Sequence, residues 1–222
     1  MRKVRHHKIE ATIEAISGVR IGGSDDLLQI GGTDLTVIKH PVTLKPYLPG
    51  SSIKGKMRHE LEKRLGKFGG RDGSQPCGCA QRDCLVCVVF GPHMNSKHDL
   101  GPSRIIVRDA QLLEGGDIEL KTENVINRRT GTAEHPRTVE RVAAGARWTL
   151  EIGIEELDLD AHCSYTDSKG NSHSGGQALV EFVLDGLRYI QETGIGAGTS
   201  RGYGQIKIHD LKVDGQPREL DP

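Results

Sequence analysis

Residues 4–16 alternate between apolar and polar, with Ile9, Ala11, Ile13 and Ala15 on one side and Glu10, Thr12 and Glu14 on the other. A period of two marks a strand with one face buried. Ser17-Gly18 ends it, and Val19-Arg20-Ile21 leads into a glycine–acid turn at residues 22–26. A second short strand over residues 27–30 gives a hairpin whose far end, Gly31-Gly32-Thr33-Asp34, presents Asp34 on a loop. The period then changes. Ile53, Met57, Leu61 and Leu65 recur every four residues and predict a helix over residues 52–65 with one buried stripe. Ser51 or Ser52 suits its N-cap, where a hydroxyl can accept an orphan backbone N–H. Residues 104–113, RIIVRDAQLL, read as a core strand in which Asp109 has a structural role. Val180, Val183, Leu184, Leu187 and Ile190 place a second helix over residues 177–192, with Ser174 as a cap and Gly194 as its terminator. A glycine-rich loop and a strand follow, and residues 213–222 read as a frayed tail.

A chain of 222 residues suffices for one domain carrying sizeable insertions. Its 30 basic and 30 acidic residues cancel, which excludes a generally basic nucleic-acid coat and leaves room for a localised basic groove. Aromatic content of 4% excludes base stacking on many aromatic platforms. No apolar run approaches the ~18 residues of a membrane span, and residues 1–15 lack the apolar core of a secretory signal. The expectation is a cytoplasmic protein without a membrane partner.

Four stretches carry candidate chemistry. Lys54, Lys56 and Arg58 lie in the first two turns of the first helix, off its apolar stripe. Cations beside free helix N–H groups suit phosphate; the alternative is a solvated face paired with Glu60 and Glu62. Gly55 inside this helix suggests that something packs closely on its backbone. Next, Cys77, Cys79, Cys84 and Cys87 are spaced C-x-C-x4-C-x2-C within an irregular insertion over residues 66–103. Thiols bunched this way in a cytosolic chain point to structural Zn²⁺ with all four positions filled, against free or redox thiols as the alternative. Such a metal would staple an insertion with little core of its own. His93 and His98 are spare, and Cys163 stands alone as a small hydrophobe.

The third stretch, residues 122–148, is polar, broken by Gly131, Pro136 and Gly145, and crowded with Arg128, Arg129, Arg137, Arg141 and Arg147. Strand-like segments at residues 117–120 and 148–154 flank it, so it reads as a long protruding hairpin over about residues 117–150. Arginines on such an arm suit phosphate contact; the alternative is a solvated loop paired through Glu134 and Glu140. Last, GIGAGTSRGYG at residues 194–204 lets backbone N–H groups approach an anion. The order helix, glycine loop, strand matches neither a P-loop nor a dinucleotide fingerprint.

The segment GIGAGTSRGYGQIKI resembles the glycine-rich loop of the RAMP superfamily of CRISPR-associated proteins. SGVRIGG, GGTDLTVIKHP, PYLPGSSIKGKMR and ENVINRRTGTAEHPRTVERV occur ahead of it in order. Together they resemble the backbone subunits of type III-A, Csm-type, effector complexes. The resemblance implies an α+β fold with an RRM-like, ferredoxin-like core with insertions and a β-hairpin thumb that flips a nucleotide; the four cysteines occur in some relatives only, so the zinc-stapled insertion rests on their spacing. It implies head-to-tail assembly with copies of itself along guide (CRISPR) RNA beside other type III subunits, and cleavage of guide-paired single-stranded target RNA at regular intervals. It makes Asp34 the catalytic residue, acting with Mg²⁺ or another divalent cation or orienting the ribose hydroxyl. It makes Lys54, Arg58 and Arg20 phosphate ligands; Arg20 stands where relatives often have His. The thumb arginines Arg128, Arg129 and Arg137 and the loop residues Gly196, Gly198, Arg201 and Gly202 complete the expected RNA contacts. The rivals are a guide-binding subunit that cuts nothing and a stand-alone ribonuclease that processes guide precursors.

Overall fold

The computed structural model describes residues 1–22 and 36–220. Asp34, the Gly31-Gly32-Thr33 run and the strand expected at residues 27–30 lie outside the described residues.

In chain order the elements are β1 (Lys3–Ala15), α1 (Gly50–Leu65), the two-residue strands β2 (Phe68–Gly69) and β3 (Gln75–Pro76), and α2 (Leu85–Phe90). There follow β4 (Ile105–Val107), β5 (Leu112–Glu114), β6 (Ile118–Ile126), β7 (Ala133–Val142) and β8 (Arg147–Leu157). The chain continues through β9 (Ser164–Thr166), β10 (Ser172–Ser174), α3 (Gly175–Thr193), β11 (Ile206–Val213) and β12 (Gln216–Pro217). The main sheet runs β12-β11-β1-β8-β4, with β5 also paired to β8.

β1 is the spine of this sheet. It is antiparallel to β8, with Ile13 opposite Trp148, and antiparallel to β11, with Ala15 opposite Ile206. Its alternation explains why one face is apolar: Ile9, Ile13 and Ala15 are at most 2% exposed. They share a single core with Trp148, Leu150, Ile152 and Ile154 of β8 and with the apolar stripes of α1 and α3. Burying such side chains stabilises by about 1.5–3 kcal/mol each.

Several expectations change in detail. The first helix begins at Gly50, and neither Ser51 nor Ser52 caps it. The Pro49 carbonyl accepts from Ser52 and Ile53 N–H, and the Gly50 N–H donates to Asp109 Oδ1 at 2.7 Å. Asp109 is therefore structural, but the strand expected over residues 104–113 is broken into β4 and β5, and Asp109 in the link between them places a carboxylate at the positive end of a helix. The stripe ends at Leu61, since Leu65 is 45% exposed. Nothing approaches Gly55. The close approach is made from the other helix, where a Cβ on Gly186 would sit 2.3 Å from Met57 Cγ.

The insertion is not a separate appendage. Every residue of α2, Leu85 to Phe90, is buried and belongs to the main core. The arm is shorter than expected: β6 and β7 form their own two-stranded ribbon, while Trp148 is fully buried and donates its indole N–H to the Pro46 carbonyl at 3.2 Å. The apolar run at residues 148–154 belongs to the core sheet, not to the arm. The C-terminal segment is not frayed as far as residue 220. β12 pairs with β11, and Arg218 reaches Glu181 at 2.6 Å.

Beneath α2 lies a buried ion pair. Arg104 Nε and Nη2 each donate to Asp160 at 2.8 Å, and the Leu157 N–H donates to the same carboxylate. Both side chains are at most 2% exposed. Removing one partner strands a charge, so Asp160→Ala is expected to cost about 3–5 kcal/mol, read from the urea midpoint.

Candidate nucleic-acid interface

One end of the main sheet gathers most of the candidate residues. β1 ends there, and β8 and β11 begin there, because both run antiparallel to β1. The glycine-rich loop that precedes β11 therefore falls beside Gly18–Arg20, which follows β1. The root of the hairpin joins them: the Val19 N–H donates to the Val142 carbonyl at 2.9 Å and the Val142 N–H returns to Val19 at 2.7 Å. The entry to α1 lies nearby, since Leu48 and Ala110 exchange hydrogen bonds while the Gln111 N–H donates to Thr149 of β8.

The glycines of the loop permit contact between backbones. Gly196 has φ 82°, and a Cβ there would lie 2.2 Å from the Arg20 carbonyl. Gly204 has φ 69°, with only 1.9 Å to the Ile195 carbonyl. Only glycine fits either place. The Ala197 N–H donates to the Arg20 carbonyl at 2.8 Å and the Gly204 N–H to Gly18 at 2.9 Å. These amides hold the loop to the chain after β1, so they are committed within the protein. Gly196, Arg201 and Gly202 remain on the exposed side, while Gly198 is partly covered by Tyr203.

Tyr203 is the hub. Its ring is buried, and its hydroxyl donates to Glu123 Oε1 of β6 at 2.5 Å. Lys121, Arg141 and Arg201 stand over the ring at 4.3, 5.0 and 5.9 Å from its centroid. Glu123 also pairs with Arg137 at 2.8 Å and Arg201 at 3.2 Å. The Tyr203 hydroxyl first, then Arg137, hold its carboxyl below the ordinary range. Arg20 completes the group. Burial lowers its pKa, as do Arg137 and Arg201 nearby, and its Nε is buried without a hydrogen-bond partner among the described residues. Five cations thus surround one carboxylate, with Glu119 holding Arg141. A buried, unsatisfied guanidinium N–H in such company has the chemistry to take an anionic oxygen.

The remaining expected contacts fall elsewhere. Arg128 and Arg129 are exposed in the turn that joins β6 to β7. Leu120, Val125 and Ile126 are exposed on the same ribbon. On α1, Lys54 Nζ donates to the Ile105 carbonyl at 3.5 Å, and burial, then Arg58, lowers its pKa. Arg58 pairs with Glu62 at 2.7 Å and donates to the Cys77 carbonyl at 2.7 Å, while Lys56 pairs with Glu60. Asp34 lies outside the described residues, but Val37, three residues later, is buried at the hairpin, where its N–H donates to Glu140 at 3.3 Å. Periodicity alone missed Tyr203 and Glu123. The lone tyrosine in a glycine run was the available signal.

Cys77, Cys79, Cys84 and Cys87 meet, their sulfurs all within 4.8 Å of one another. Three of the spacings are 3.9, 3.7 and 3.7 Å. A tetrahedral ion bound at about 2.3 Å requires S···S edges of about 3.8 Å, so the four thiols could hold such a metal. Hydrogen bonding from Cys87 lowers Cys84 to about 5, while the same bond and burial push Cys87 up. A cation would relieve that crowding of thiols. A second group, Asp167, His173 and Glu181, also lies within ligand distance. Its oxygens are engaged, Asp167 by Asn171 and His173, and Glu181 by Gln177 and Arg218.

This fold and these loops belong to a known class. The family model described as RAMP superfamily matches residues 12–207, and the chain belongs to that superfamily. At the level of individual relatives, it is 36% identical to the "CRISPR system Cms endoribonuclease Csm3" of Methanothermobacter thermautotrophicus, covering 99% of this chain and 90% of that one. It is 35% identical to the protein of the same name from Methanocaldococcus jannaschii, covering 95% and 82%. Among solved structures it resembles a chain of the Csm3–Csm4 subcomplex of the type III-A CRISPR-Cas interference complex. That match has a TM-score of 0.58 at 25% identity, over 96% of this chain and 80% of the other. Among the described residues, no helix is long and apolar enough to cross a membrane.

Proposed function

We propose that this chain is a backbone subunit of a type III-A CRISPR effector complex, and that it cleaves target RNA paired to the guide. The observation that carries this reading is the cluster of Arg20, Arg137 and Arg201 around Tyr203 and Glu123. It joins the hairpin, the glycine loop and the chain after β1 into one basic surface. Such a surface follows a sugar-phosphate strand without reading bases. Sequence specificity then comes from guide–target pairing. The named similarity to Csm3 endoribonucleases over nearly the whole chain supports the cleaving subunit over the guide-binding one that cuts nothing.

The sheet supports an RRM-like core. Counting β1, β4, β8 and β11 as first to fourth, the order across the sheet is 4-1-3-2, with α1 and α3 as the crossovers, as in a β-α-β-β-α-β unit. On this reading β6–β7 is the thumb, and its exposed Leu120, Val125 and Ile126 wedge against bases while Arg128 and Arg129 reach the strand. Flipping one nucleotide frees its 2′-hydroxyl to attack the adjacent phosphate in line; the 2′-oxygen loses its proton and bonds to phosphorus, the P–O5′ bond breaks, and the products are a 2′,3′-cyclic phosphate and a protonated 5′-hydroxyl. Asp34 orients that hydroxyl or holds a divalent cation such as Mg²⁺, which supplies charge neutralisation at the phosphate. Zn²⁺ is the ion the four cysteines suit, as a structural centre with no open position. Lys54 and Arg58 extend the guide contact along α1.

The test is a guide-loaded complex incubated with matched target RNA. The reading expects a ladder of products at a constant interval. A single cut in guide precursor, made by this chain alone, would point to a processing enzyme instead.

A further inference from the structure

The four-cysteine cluster and the helix α1 meet at one residue, Cys77. The Cys77 N–H donates to Glu62 Oε1 at 2.9 Å, and its carbonyl accepts from Arg58 Nη2 at 2.7 Å. The same Glu62 oxygen accepts from Arg58 Nε at 2.7 Å. Glu62 is 3% exposed. Arg58 and Glu62 lie one turn apart on α1, so the pair closes on both polar groups of a single cysteine. The His93 N–H also donates to the Cys77 carbonyl, at 3.0 Å, and a Cβ on Gly78 would sit 2.4 Å from the His93 carbonyl. The loop is therefore pressed between residue 93 and α1, with Cys77 fixed from behind. Lys56 and Glu60 form the comparable pair on the same helix and touch no cysteine.

We propose that Arg58 and Glu62 are positioning residues for the metal loop, and that they couple metal occupancy to RNA binding at α1. The first half follows from geometry. A thiolate's direction is set by its backbone, and outer partners that fix a ligand are worth roughly 10–100-fold in metal affinity. The second half rests on the proposal that Arg58 contacts guide phosphate. Arg58 is oriented through Glu62 and the Cys77 carbonyl, so a filled metal site leaves its guanidinium pre-ordered. Ordering before binding removes an entropic cost at the moment of binding. Coupling between two ligands is reciprocal, so bound RNA must tighten the metal by the factor by which metal tightens RNA.

The experiment uses the full chain loaded with Zn²⁺ and a chromogenic chelator in equilibrium competition, with and without a guide-sequence RNA oligonucleotide. RNA occupancy is followed by fluorescence anisotropy. Glu62→Gln keeps a hydrogen-bond acceptor but removes the charge that holds Arg58. It is expected to weaken zinc at least about tenfold, as is Arg58→Gln, with Lys56→Gln unchanged. Saturating RNA is expected to tighten zinc about fivefold or more in the wild type and to have no effect in Glu62→Gln. Zinc affinities unmoved by Glu62→Gln and Arg58→Gln would overturn the anchoring. RNA that binds the wild type yet leaves zinc affinity unchanged would overturn the coupling alone. If zinc-loaded wild type binds no RNA, the RNA reading itself fails, and the coupling falls with it.

Discussion

Asp34→Ala is expected to abolish cleavage of guide-paired target while leaving guide and target binding within about twofold. A loss of at least about 10³-fold in the single-turnover rate corresponds to ~4 kcal/mol of transition-state stabilisation. The size follows from the role. A carboxylate with an ordinary pKa near 4 is a poor general base at neutral pH. Its value lies in fixing the attacking hydroxyl or a cation against the phosphate, and neither function has a substitute once the side chain is gone. Binding should survive because, on the proposed reading, affinity comes from cations spread over the hairpin, the glycine loop and Arg20; of these Arg137 and Arg201 pair with Glu123 and Arg141 with Glu119. Where Asp34 only orients the hydroxyl, deleting its negative charge cannot weaken RNA binding electrostatically. Asp34→Asn separates the two roles further, since an amide can still orient a hydroxyl but is a weak ligand for a hard cation. Cleavage that persisted in Asp34→Ala would move the chemistry elsewhere on the chain.

Loss of the proposed metal centre is the second large expected effect. Cys84→Ser is expected to lower the thermal midpoint by about 6–20 °C, equivalent to ~3–5 kcal/mol at about 2–4 °C per kcal/mol for a chain of this size. Cys84 is the N-cap of α2, and its carbonyl accepts the Val88 N–H at 3.0 Å. Cys87 lies within that helix. Losing an ion held there would therefore loosen six residues that are wholly inside the main core, from Leu85 to Phe90. A chelator should lower the wild-type midpoint by the same amount and leave Cys84→Ser where it is. A chelator without effect on the wild type would mean that the thiols pack as hydrophobes without metal.

The sequence carried the fold wherever a period was long and its apolar residues served one core. β1, α1 and α3 fall within a few residues of the expected bounds because their stripes face a single interior. Boundaries failed where a distant residue decided them. Asp109, from the link between β4 and β5 far along the chain, caps α1 in place of a local serine. The arm was drawn too long because an apolar run beginning at Trp148 reads alike in an exposed ribbon and in a core strand. α2 was invisible as core because LVCVVF is too short to show a helical period.

The candidate site divides the same way. The cysteine spacing was legible because ligand geometry is local. The meeting of Arg20, Arg137 and Arg201 was not, because three separate chain segments create it, and its centre is a tyrosine and a glutamate that lie inside the glycine-loop and arm motifs but carried no expected role. Gly196 and Gly204 make backbone contact within the fold, pressed against the Arg20 and Ile195 carbonyls.

The central claim is that the hairpin, the glycine loop and the chain after β1 grip one sugar-phosphate strand together. The salt dependence of guide-RNA binding tests it most directly. For single strands each phosphate contact contributes about 0.7 to the slope of log K against log salt. Arg20→Ala, Arg137→Ala and Arg201→Ala should each flatten that slope by about 0.7 and weaken binding alike for unrelated guide sequences. Slopes equal to the wild type in all three variants would contradict the account.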